Sequence, residues 1–540
     1  MGSSRIAFVN TGRYRTTKGN EFFSDPVHLV AMHNICKHAG HQSKIFQLGA
    51  PDGQTSIQQI QEYSPDVLAL SFLDPYKYDL PLTHQLCQAL DPPPKMVIMG
   101  GPDADLDGAF YRAQLQKQLP SQTRLVHIFG PGEQFFHRWV QLGLSTELEA
   151  SVVSGMQDMS WRHTETGWEV RGMKAIPLDQ QDHSRDYDLS AYRGRVSVKW
   201  ATGCWAACHF CYNLPQRSDY KSPQLAATEA QQLKQLGATM LDVTSPQFTA
   251  HPAKAAALVG ALPKETPPVS FTSRVDSLYH SVDRYPEEWQ HFANSQAHQI
   301  DIGLESFLPA RLVRLNKYRK LQQARLQSGQ LDALLRFFQH TKTALHLYLI
   351  PLDWQMDLEE ARQENDALTS LLEQWPEVLY ISPDNIGKRL SHAAGSHFSN
   401  QMSPMDFLRF ERDPRLLLLC YITDWMFAHL LTVAPQLQEP EALVEETKTH
   451  FLCDMTSRII KQLTPLTLPA DFLERALHQL RHDKPPESVV QELIALLPFG
   501  SRLRLKFFLD SERRGAKKRM RTTLDHLLTA KVQYRRKYKQ

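Results

Sequence analysis

Short apolar runs alternate with helical patterns through the first 150 residues of the chain. The runs are RIAFVN (5–10), SKIFQL (43–48), DVLALSFL (66–73), KMVIMGG (95–101) and RLVHIFG (124–130). Amphipathic stretches such as PVHLVAMHNICKHAG separate them. Buried strands that alternate with helices pair in parallel, with helices on both faces of the sheet. Residues 1–150 are therefore predicted to form a doubly wound α/β domain.

A second alternation runs from residue 191 to residue 390. Its apolar runs are VSVKWAT (196–202), MLDVTS (240–245), VSFTSRV (269–275), QIDIGL (299–304), LHLYLI (345–350) and VLYISPD (378–384). Six strands with their helices predict a partial (β/α)6 barrel, whose working face is the carboxyl ends of the strands. Residues 151–190 are polar around a strand pair near GWEVRGM and are predicted to be a connector. Residues 391–540 are predicted to form a helical C-terminal domain with a basic tail.

The composition is that of a folded protein, with 42% hydrophobic and 22% charged residues. The N-terminus enters an apolar strand at once, without the features of a secretory signal, so we expect a cytoplasmic protein. The stretch LLLLCYITDWMFAHLLTVA from Leu416 is long enough to span a membrane. Asp424 within it would cost about 2.5–3.5 kcal/mol on insertion. We therefore expect a buried core helix and no transmembrane segment.

Three of the seven cysteines stand close together in the sequence. Four others, Cys36, Cys87, Cys420 and Cys453, are scattered through apolar segments, where a small buried thiol is common. Cys204, Cys208 and Cys211 lie within TGCWAACHFCYN (202–213), directly after the first strand of the second set. Such clustering favours a metal site over disulfides.

Three thiolates suit an iron–sulfur cluster better than zinc. A structural zinc site takes four ligands, and no second cysteine or histidine pair stands near the loop. His209 lies inside the loop and is expected to point away from a metal held by its neighbours. A 4Fe-4S cluster held by three cysteines leaves one iron open for a small molecule.

The spacing C-x-x-x-C-x-aromatic-C after the first strand of a partial barrel resembles the radical S-adenosylmethionine (SAM) superfamily. The resemblance implies that Cys204, Cys208 and Cys211 hold a 4Fe-4S cluster. It implies that SAM chelates the fourth iron and is cleaved reductively to methionine and a 5′-deoxyadenosyl radical. Phe210 matches the aromatic position near the adenine.

Further cofactor contacts follow from the same resemblance. Thr244 and Ser245, after the second strand, match the position that contacts the SAM amino group, although the usual Gly-Gly-Glu form is absent. Ser273 and Arg274, after the third strand, could meet the SAM carboxylate, and arginine supplies a forked donor. Glu305 matches a polar contact on the next strand. The alternative for Arg274 and Glu305 is a salt bridge between barrel strands.

A doubly wound domain directly before such a barrel resembles the cobalamin-binding subfamily of radical SAM enzymes. No G-x-G-x-x-G follows the first strand and no Walker A motif occurs, so neither a dinucleotide nor a nucleoside triphosphate is indicated. The loops SFLDPY, GGPDAD and GPGEQFF match the subfamily pattern. No D-x-H-x-x-G motif is present, so the lower face of cobalt is expected to lack a histidine from that motif. The residues implied to contact cobalamin are Asn10, Ser71, Phe72, Asp74, Gly100, Gly101, Pro102, Gly130, Gly132 and Glu133. The alternative is a domain that kept this fold and lost its ligand.

The resemblance implies a cobalamin-dependent C-methyltransferase that acts on an unactivated carbon. A radical SAM rearrangement, cyclisation or oxidation without methyl transfer is the alternative. A methylthiotransferase is disfavoured because its first domain carries three further cysteines, and this one has only Cys36 and Cys87. The substrate class stays open among small molecule, lipid and peptide, and an electron donor such as flavodoxin or ferredoxin is expected.

The C-terminal end raises one alternative of another class, a cluster-containing nucleic-acid-binding protein. Residues 502–540 hold 14 lysines or arginines against three acidic residues, a net charge of +11 in a chain whose total is +2. Such a segment could bind phosphates. A solvated basic helix or tail is the favoured interpretation, so nucleic acid is not expected as a partner.

Overall fold

The chain divides into two compact units. The first comprises residues 1–203, 217–245 and 261–269, and the second comprises residues 204–216, 246–260 and 270–540. The computed structural model describes residues 4–11, 14–15, 21–22, 25–48, 53–72, 80–101, 104–105, 108–143, 159–164, 167–171, 175–187, 189, 192–211, 217–296, 298–353, 355–381, 410, 412–479 and 486–538.

The first 171 residues build a seven-stranded sheet with helices on both faces. The strands are β1 (Arg5–Asn10), β2 (Tyr14–Arg15), β3 (Glu21–Phe22), β4 (Gln42–Gln47), β5 (Val67–Ser71), β6 (Met96–Gly100), β7 (Arg124–Ile128), β8 (Ser160–Thr164) and β9 (Gly167–Arg171). The helices are α1 (Val27–His38), α2 (Gly53–Tyr63), α3 (Leu80–Ala89), α4 (Gly108–Gln116) and α5 (Gly132–Gln141). The sheet order is β4-β1-β5-β6-β7-β9-β8, and β2 pairs with β3 separately.

The alternation of side chains along β1 shows why both faces are covered. Ile6 and Phe8 belong to the core beneath α1 and α5, whereas Ala7 and Val9 belong to the core beneath α2, α3 and α4. Successive residues of a strand point to opposite faces, so an all-apolar strand requires two helical layers. The prediction of a doubly wound parallel sheet is confirmed.

The structure differs from the predicted connector at residues 160–171. Strands β8 and β9 form an antiparallel hairpin, and β9 pairs in parallel with β7. These residues extend the first sheet, so the prediction of a connector is wrong for them. The physical reason is that β7 would otherwise present an unpaired edge. Trp161 and Trp168 of the hairpin pack against the core that the edge would leave open.

The second set of strands forms a six-stranded sheet in chain order. Its strands and the adjoining pair are β10 (Arg195–Val198), β11 (Ala201–Thr202), β12 (Asp219–Tyr220), β13 (Met240–Val243), β14 (Val269–Arg274), β15 (Gln299–Glu305), β16 (Ala344–Leu349) and β17 (Leu379–Tyr380). The helices are α6 (Pro223–Gln235), α7 (Pro252–Ala261), α8 (Val275–Arg284), α9 (Pro286–Ser295), α10 (Pro309–Arg314), α11 (Leu321–Phe338) and α12 (Leu358–Gln374). The sheet order is β10-β13-β14-β15-β16-β17, with β11 and β12 paired apart from it. This is the strand order predicted for a partial parallel barrel.

The region beyond residue 414 is helical, as predicted. Its helices are α13 (Arg415–Val433), α14 (Glu441–Leu463), α15 (Phe472–Gln479), α16 (Pro486–Ala495) and α17 (Phe499–Tyr538). Among the described residues, the segment Arg415–Leu437 alone is long and apolar enough to cross a membrane, and 67% of its apolar window is buried inside the protein. That burial is the behaviour of a core helix.

The basic tail is a single 40-residue helix, α17. Its buried face carries Leu505, Leu509, Met520 and Leu524. Several of its cations pair with acidic residues elsewhere in the same chain. These pairs are Arg513–Glu487 at 3.2 Å, Arg521–Glu439 at 3.1 Å, Lys531–Glu446 at 2.5 Å and Arg535–Glu377. The segment is therefore an integral helix whose charge is partly satisfied within the chain.

Candidate functional site

The three clustered cysteines lie on the loop that follows β10 and the short strand β11. Strand β11 pairs antiparallel with β12, so the chain leaves and returns at the base of this loop. Gly203 opens the loop with a φ of +81°, and a Cβ there would collide with the carbonyl oxygen of Arg217. Glycine is the residue that tolerates both conditions. Cys204, Cys208 and Cys211 form no disulfide and are partly exposed, whereas the four scattered cysteines are buried.

The residues after α10 hold the backbone of the cysteine loop. The amide of His209 donates to the carbonyl of Leu315 at 3.0 Å, and the side-chain amide of Asn316 donates to the carbonyl of Ala207 at 2.7 Å. Asn316 has a φ of +52°, in the left-handed region that asparagine tolerates better than most residues. These bonds hold the loop backbone in a defined shape.

Arg274, at the end of β14, lies directly against this loop. Its guanidinium makes a forked pair with Asp276 at 3.0 and 3.1 Å and donates to the carbonyl of Lys317 at 2.8 Å. A further nitrogen is 3.6 Å from the Cys208 sulfur. The rings of Trp205 and Tyr318 lie 5.0 and 5.2 Å from its carbon centre, within the range of cation–π attraction. These contacts make Arg274 a brace for the loop.

Glu305 and Lys317 form a second ion pair beside Arg274. The Lys317 ammonium donates to the carbonyl of Gly303 and lies 3.4 Å from the Glu305 carboxylate. Glu305 sits at a register shift of β15 with a φ of +67°, which is unusual for a residue with a side chain. Burial lowers the pKa of Lys317. Neither this pair nor the Arg274–Asp276 pair joins two strands, so neither is the predicted interstrand salt bridge.

Cys208 is the cysteine that faces these cations. Burial raises the pKa of its thiol to about 11, although the charges of Arg274 and Lys317 act in the opposite direction. A ligated cysteine must lose its proton, so the nearby positive charges favour the ligated form. Among the described residues, no three histidine, cysteine or carboxylate side chains form a group suited to one metal ion.

Cys204 contacts a different group, which sequence reasoning missed. Its sulfur is 3.0 Å from Oε1 of Gln247, a side chain that is only 1% exposed. The Gln247 amide nitrogen donates to the Ser277 hydroxyl at 2.8 Å. The available signal is that PQFT (246–249) directly follows the second strand, at the carboxyl edge where ligands gather.

Several residues predicted to contact SAM have other surroundings in the structure. Ser273 is buried and its hydroxyl bonds to Thr249, so it belongs to the hydroxyl chain behind Cys204. Ser245 is buried at the end of β13, and the exposed Thr244 donates from its hydroxyl to Val198 at 3.3 Å. Phe210 lies half-buried in the turn between the second and third cysteines. Their assignment to SAM stays a prediction.

The residues predicted to contact cobalamin lie at the carboxyl ends of neighbouring strands in the first unit. Asn10 ends β1, Ser71 ends β5 and Gly100 ends β6. Phe72 and Gly101 follow directly, and Gly130 and Gly132 follow β7. The Phe72 side chain is fully buried against Tyr111, so its backbone alone can face a ligand there. Asp74 and Pro102 lie outside the described residues.

Glu133, the acidic residue of GPGE, is part of a buried ion pair. It lies 2.5 Å from the Lys199 ammonium, in the first turn of α5. Burial alone would raise the pKa of Glu133, but the charge of Lys199 outweighs it and the pKa is lowered. The side chain is therefore an ionised partner of Lys199 in this structure.

Solved structures of other proteins share the fold of this chain. No protein-family model and no curated protein sequence matches the chain. The solved structure of the radical SAM methyltransferase TsrM from Kitasatospora setae, with tryptophan substrate and a SAM analogue bound, aligns over 72% of this chain and 77% of its own, with a TM-score of 0.54 and 13% identity. The cobalamin-dependent SAM radical enzyme OxsB, with aqua-cobalamin bound, aligns over 98% of this chain and 84% of its own, with a TM-score of 0.60 and 12% identity. The chain has the fold of the cobalamin-dependent radical SAM enzymes.

Within the cobalamin-dependent radical SAM fold, the chemistry of the cysteine loop suits a cluster. Its donors are all sulfur, which is the ligand type of iron–sulfur sites. A cubane offers a different iron to each thiolate, so its ligands stand farther apart than those of one ion. The three thiols stand on one braced loop, and the donors Arg274 and Ala206 lie against two of their sulfurs.

The edge of the first sheet in this fold suits a large planar ligand. Ser71, Gly100, Gly101 and Gly130 present small side chains or none along adjacent strand ends. Gly130 has a φ of +85° with open space where a Cβ would stand. A flat ring can therefore approach the backbone at this edge, as ligands do at the carboxyl ends of parallel strands.

Proposed function

We propose that this protein is a cobalamin-dependent radical SAM enzyme that methylates an unactivated carbon. The observation that carries the proposal is the braced loop of three clustered cysteines after the first strand of a six-stranded sheet, in a chain with this fold. Cys204, Cys208 and Cys211 would hold a 4Fe-4S cluster. When bound, the cluster and SAM would generate a carbon radical, and cobalamin would carry the methyl group.

The residues around the cysteines give the site its charge balance and shape. Thiolates and sulfides carry negative charge, and Arg274 and Lys317 are buried cations on the Cys208 side. Because a buried charge needs a partner, this placement favours the anionic cluster in a site that water enters poorly. Trp205 is 55% exposed over Arg274 and would shield that side of the loop. In the proposal Phe210, Thr244, Ser245 and Glu305 contact SAM.

The edge of the first sheet would hold cobalamin. Asn10 is buried at the end of β1, and its side-chain amide donates to Oε1 of Gln47 at 2.7 Å, which fixes the position of this strand end. Gly101 has a φ of +103° and packs so tightly on the backbone of Phe72 that no side chain fits between them. These contacts would form a rigid floor for the ring. The loop after β1 contains no histidine, so no imidazole from it would bind cobalt.

A radical reaction without methyl transfer is the second candidate function. OxsB, named a cobalamin-dependent SAM radical enzyme, aligns with 98% of this chain, whereas the methyltransferase TsrM aligns with 72%. The longer alignment includes the helical C-terminal region. In either case we propose a cytoplasmic location and an electron donor such as flavodoxin or ferredoxin, since free thiols and a reduced cluster require a reducing compartment.

Anaerobic reconstitution tests the proposal. The purified chain should bind about four irons and one cobalamin, and under reduction it should cleave SAM to 5′-deoxyadenosine. Formation of S-adenosylhomocysteine in addition would mark methyl donation, and 5′-deoxyadenosine alone would favour the second candidate. A chain that binds no iron after reconstitution would refute both.

A further inference from the structure

We propose that Gln247 is a positioning residue that reverses its side-chain amide when Cys204 becomes a metal ligand, and then donates a hydrogen bond to the ligating sulfur. The inference rests on the proposed function, because it concerns a cluster bound at Cys204. It assigns a role to a buried polar network that neither the sequence motifs nor the proposed contacts to SAM explain.

The observed arrangement suits a protonated thiol. Oε1 of Gln247 lies 3.0 Å from the Cys204 sulfur, and a thiol can donate to it. The amide of Ala206 approaches the same sulfur at 3.4 Å. A thiolate has no proton to donate, so the carbonyl oxygen would then face a negative charge at that distance. Because Gln247 is buried, water does not reach its side of this contact to relieve the repulsion.

The network behind Gln247 allows the amide to turn. Its nitrogen donates to the Ser277 hydroxyl at 2.8 Å, and Ser277 lies 3.0 Å from the hydroxyl of Thr249. Thr249 bonds in turn to Ser273, whose hydroxyl donates to the carbonyl of Arg274 at 3.3 Å. A hydroxyl can donate or accept, so this chain can run in either direction.

Reversal of the amide keeps the hydroxyl chain connected. With the amide turned, its nitrogen faces the Cys204 sulfur, and Ser277 donates to its carbonyl oxygen. Thr249 then donates to Ser277, and Ser273 donates to Thr249. The carbonyl of Arg274 gives up its bond from Ser273, which at 3.3 Å is the longest in the chain, so the turned state loses one weak hydrogen bond.

A donor to a ligating sulfur favours the more negative, reduced cluster and therefore raises its reduction potential. We expect Gln247→Leu to lower the equilibrium constant for one-electron reduction about tenfold, which corresponds to about 59 mV. Gln247→Glu, which places an acceptor at the sulfur, should lower it further. Ser277→Ala, which removes the partner that orients the amide, should give a smaller decrease of the same sign.

Redox titration of the reconstituted full chain, followed by electron paramagnetic resonance without SAM, measures these shifts. Gln327→Leu is the matched control, because this buried amide bonds to Tyr318 and two backbone carbonyls in the same unit. In the unmutated protein, a cluster-coupled proton that exchanges in D2O should be seen by electron–nuclear double resonance, and Gln247→Leu should lack one such proton.

The outcomes separate the two proposals. If the unmutated chain binds no cluster, the proposed function and this inference both fail. If the chain and its variants bind about four irons but the Gln247 variants keep the parent potential, the inference alone is overturned. A parent spectrum without a cluster-coupled exchangeable proton beyond those of the Ala206 amide and the Arg274 guanidinium overturns it as well, whether or not any variant folds.

Discussion

Replacement of Arg274 by methionine should loosen the cysteine loop without emptying the space beneath Trp205. Methionine keeps an unbranched stem but loses the forked pair to Asp276 and the bond to the Lys317 carbonyl. Both members of the pair are largely buried, with 8% and 18% of their side chains exposed. The substitution therefore leaves a carboxylate without its cation.

The expected cost follows from this burial. Removal of one partner of a buried pair costs about 3–5 kcal/mol, and the lower end applies here because water reaches part of Asp276. A loss of about 3 kcal/mol corresponds to about a 150-fold increase in local opening. Arg274→Met combined with Asp276→Asn removes the unpaired charge, and the remaining loss should be about 1 kcal/mol, or about fivefold.

Hydrogen exchange of the apo-protein, read by mass spectrometry over residues 203–211, measures this opening directly. The amides of His209 and Cys211 are reporters, because both are hydrogen-bonded in the closed loop. The extra local opening of Arg274→Met, relative to the unmutated protein, should decrease as pH falls, since protonation neutralises the unpaired Asp276. Unchanged exchange in Arg274→Met, or a double variant no better than the single one, would refute the assignment of Arg274 as the brace.

Three other perturbations have defined outcomes. Cys208→Ala should abolish iron binding and SAM cleavage, whereas Cys36→Ala, which removes a buried thiol of the first sheet, should retain both; iron analysis and 5′-deoxyadenosine assays decide. His183 has a pKa lowered to about 2 by burial and nearby cations, so its stabilising effect is lost as pH falls below about 6.5. His183→Gln should therefore reduce the drop in urea midpoint between pH 7.5 and pH 5; an unchanged drop contradicts this. Leu524→Ala should destabilise the helical region by about 2–5 kcal/mol in urea unfolding, whereas a freely solvated tail would show no change.

Periodicity predicts the two parallel sheets well, because their strands are buried on both faces and read as continuous apolar runs. It also predicts the strand pair near GWEVRGM, but not that this hairpin of β8 and β9 extends the first sheet. Those strands cover one edge of a sheet, and an edge partner has a mixed pattern that resembles a polar connector. No residue within GWEVR indicates that this strand pairs with β7, which lies more than 30 residues earlier in the chain.

The cysteine loop is predictable from spacing, but its supports are not. Arg274 is visible as a charged residue at a strand end, yet its pairing with Asp276 depends on the turn into α8. Gln247 carries no charge and belongs to no motif. Its importance follows from the approach of one loop to another, which sequence separation does not reveal.

The way the loop is fastened after α10 has a consequence for divergence. At Leu315 and Lys317 the bonds use main-chain carbonyl oxygens, which every amino acid provides. The side chains that these bonds require are Asn316, whose amide donates to Ala207, and Arg274, which donates to the carbonyl of Lys317. Substitutions at Leu315 and Lys317 would therefore leave these main-chain acceptors in place, so the cysteine loop can keep its shape while the sequence of this segment changes.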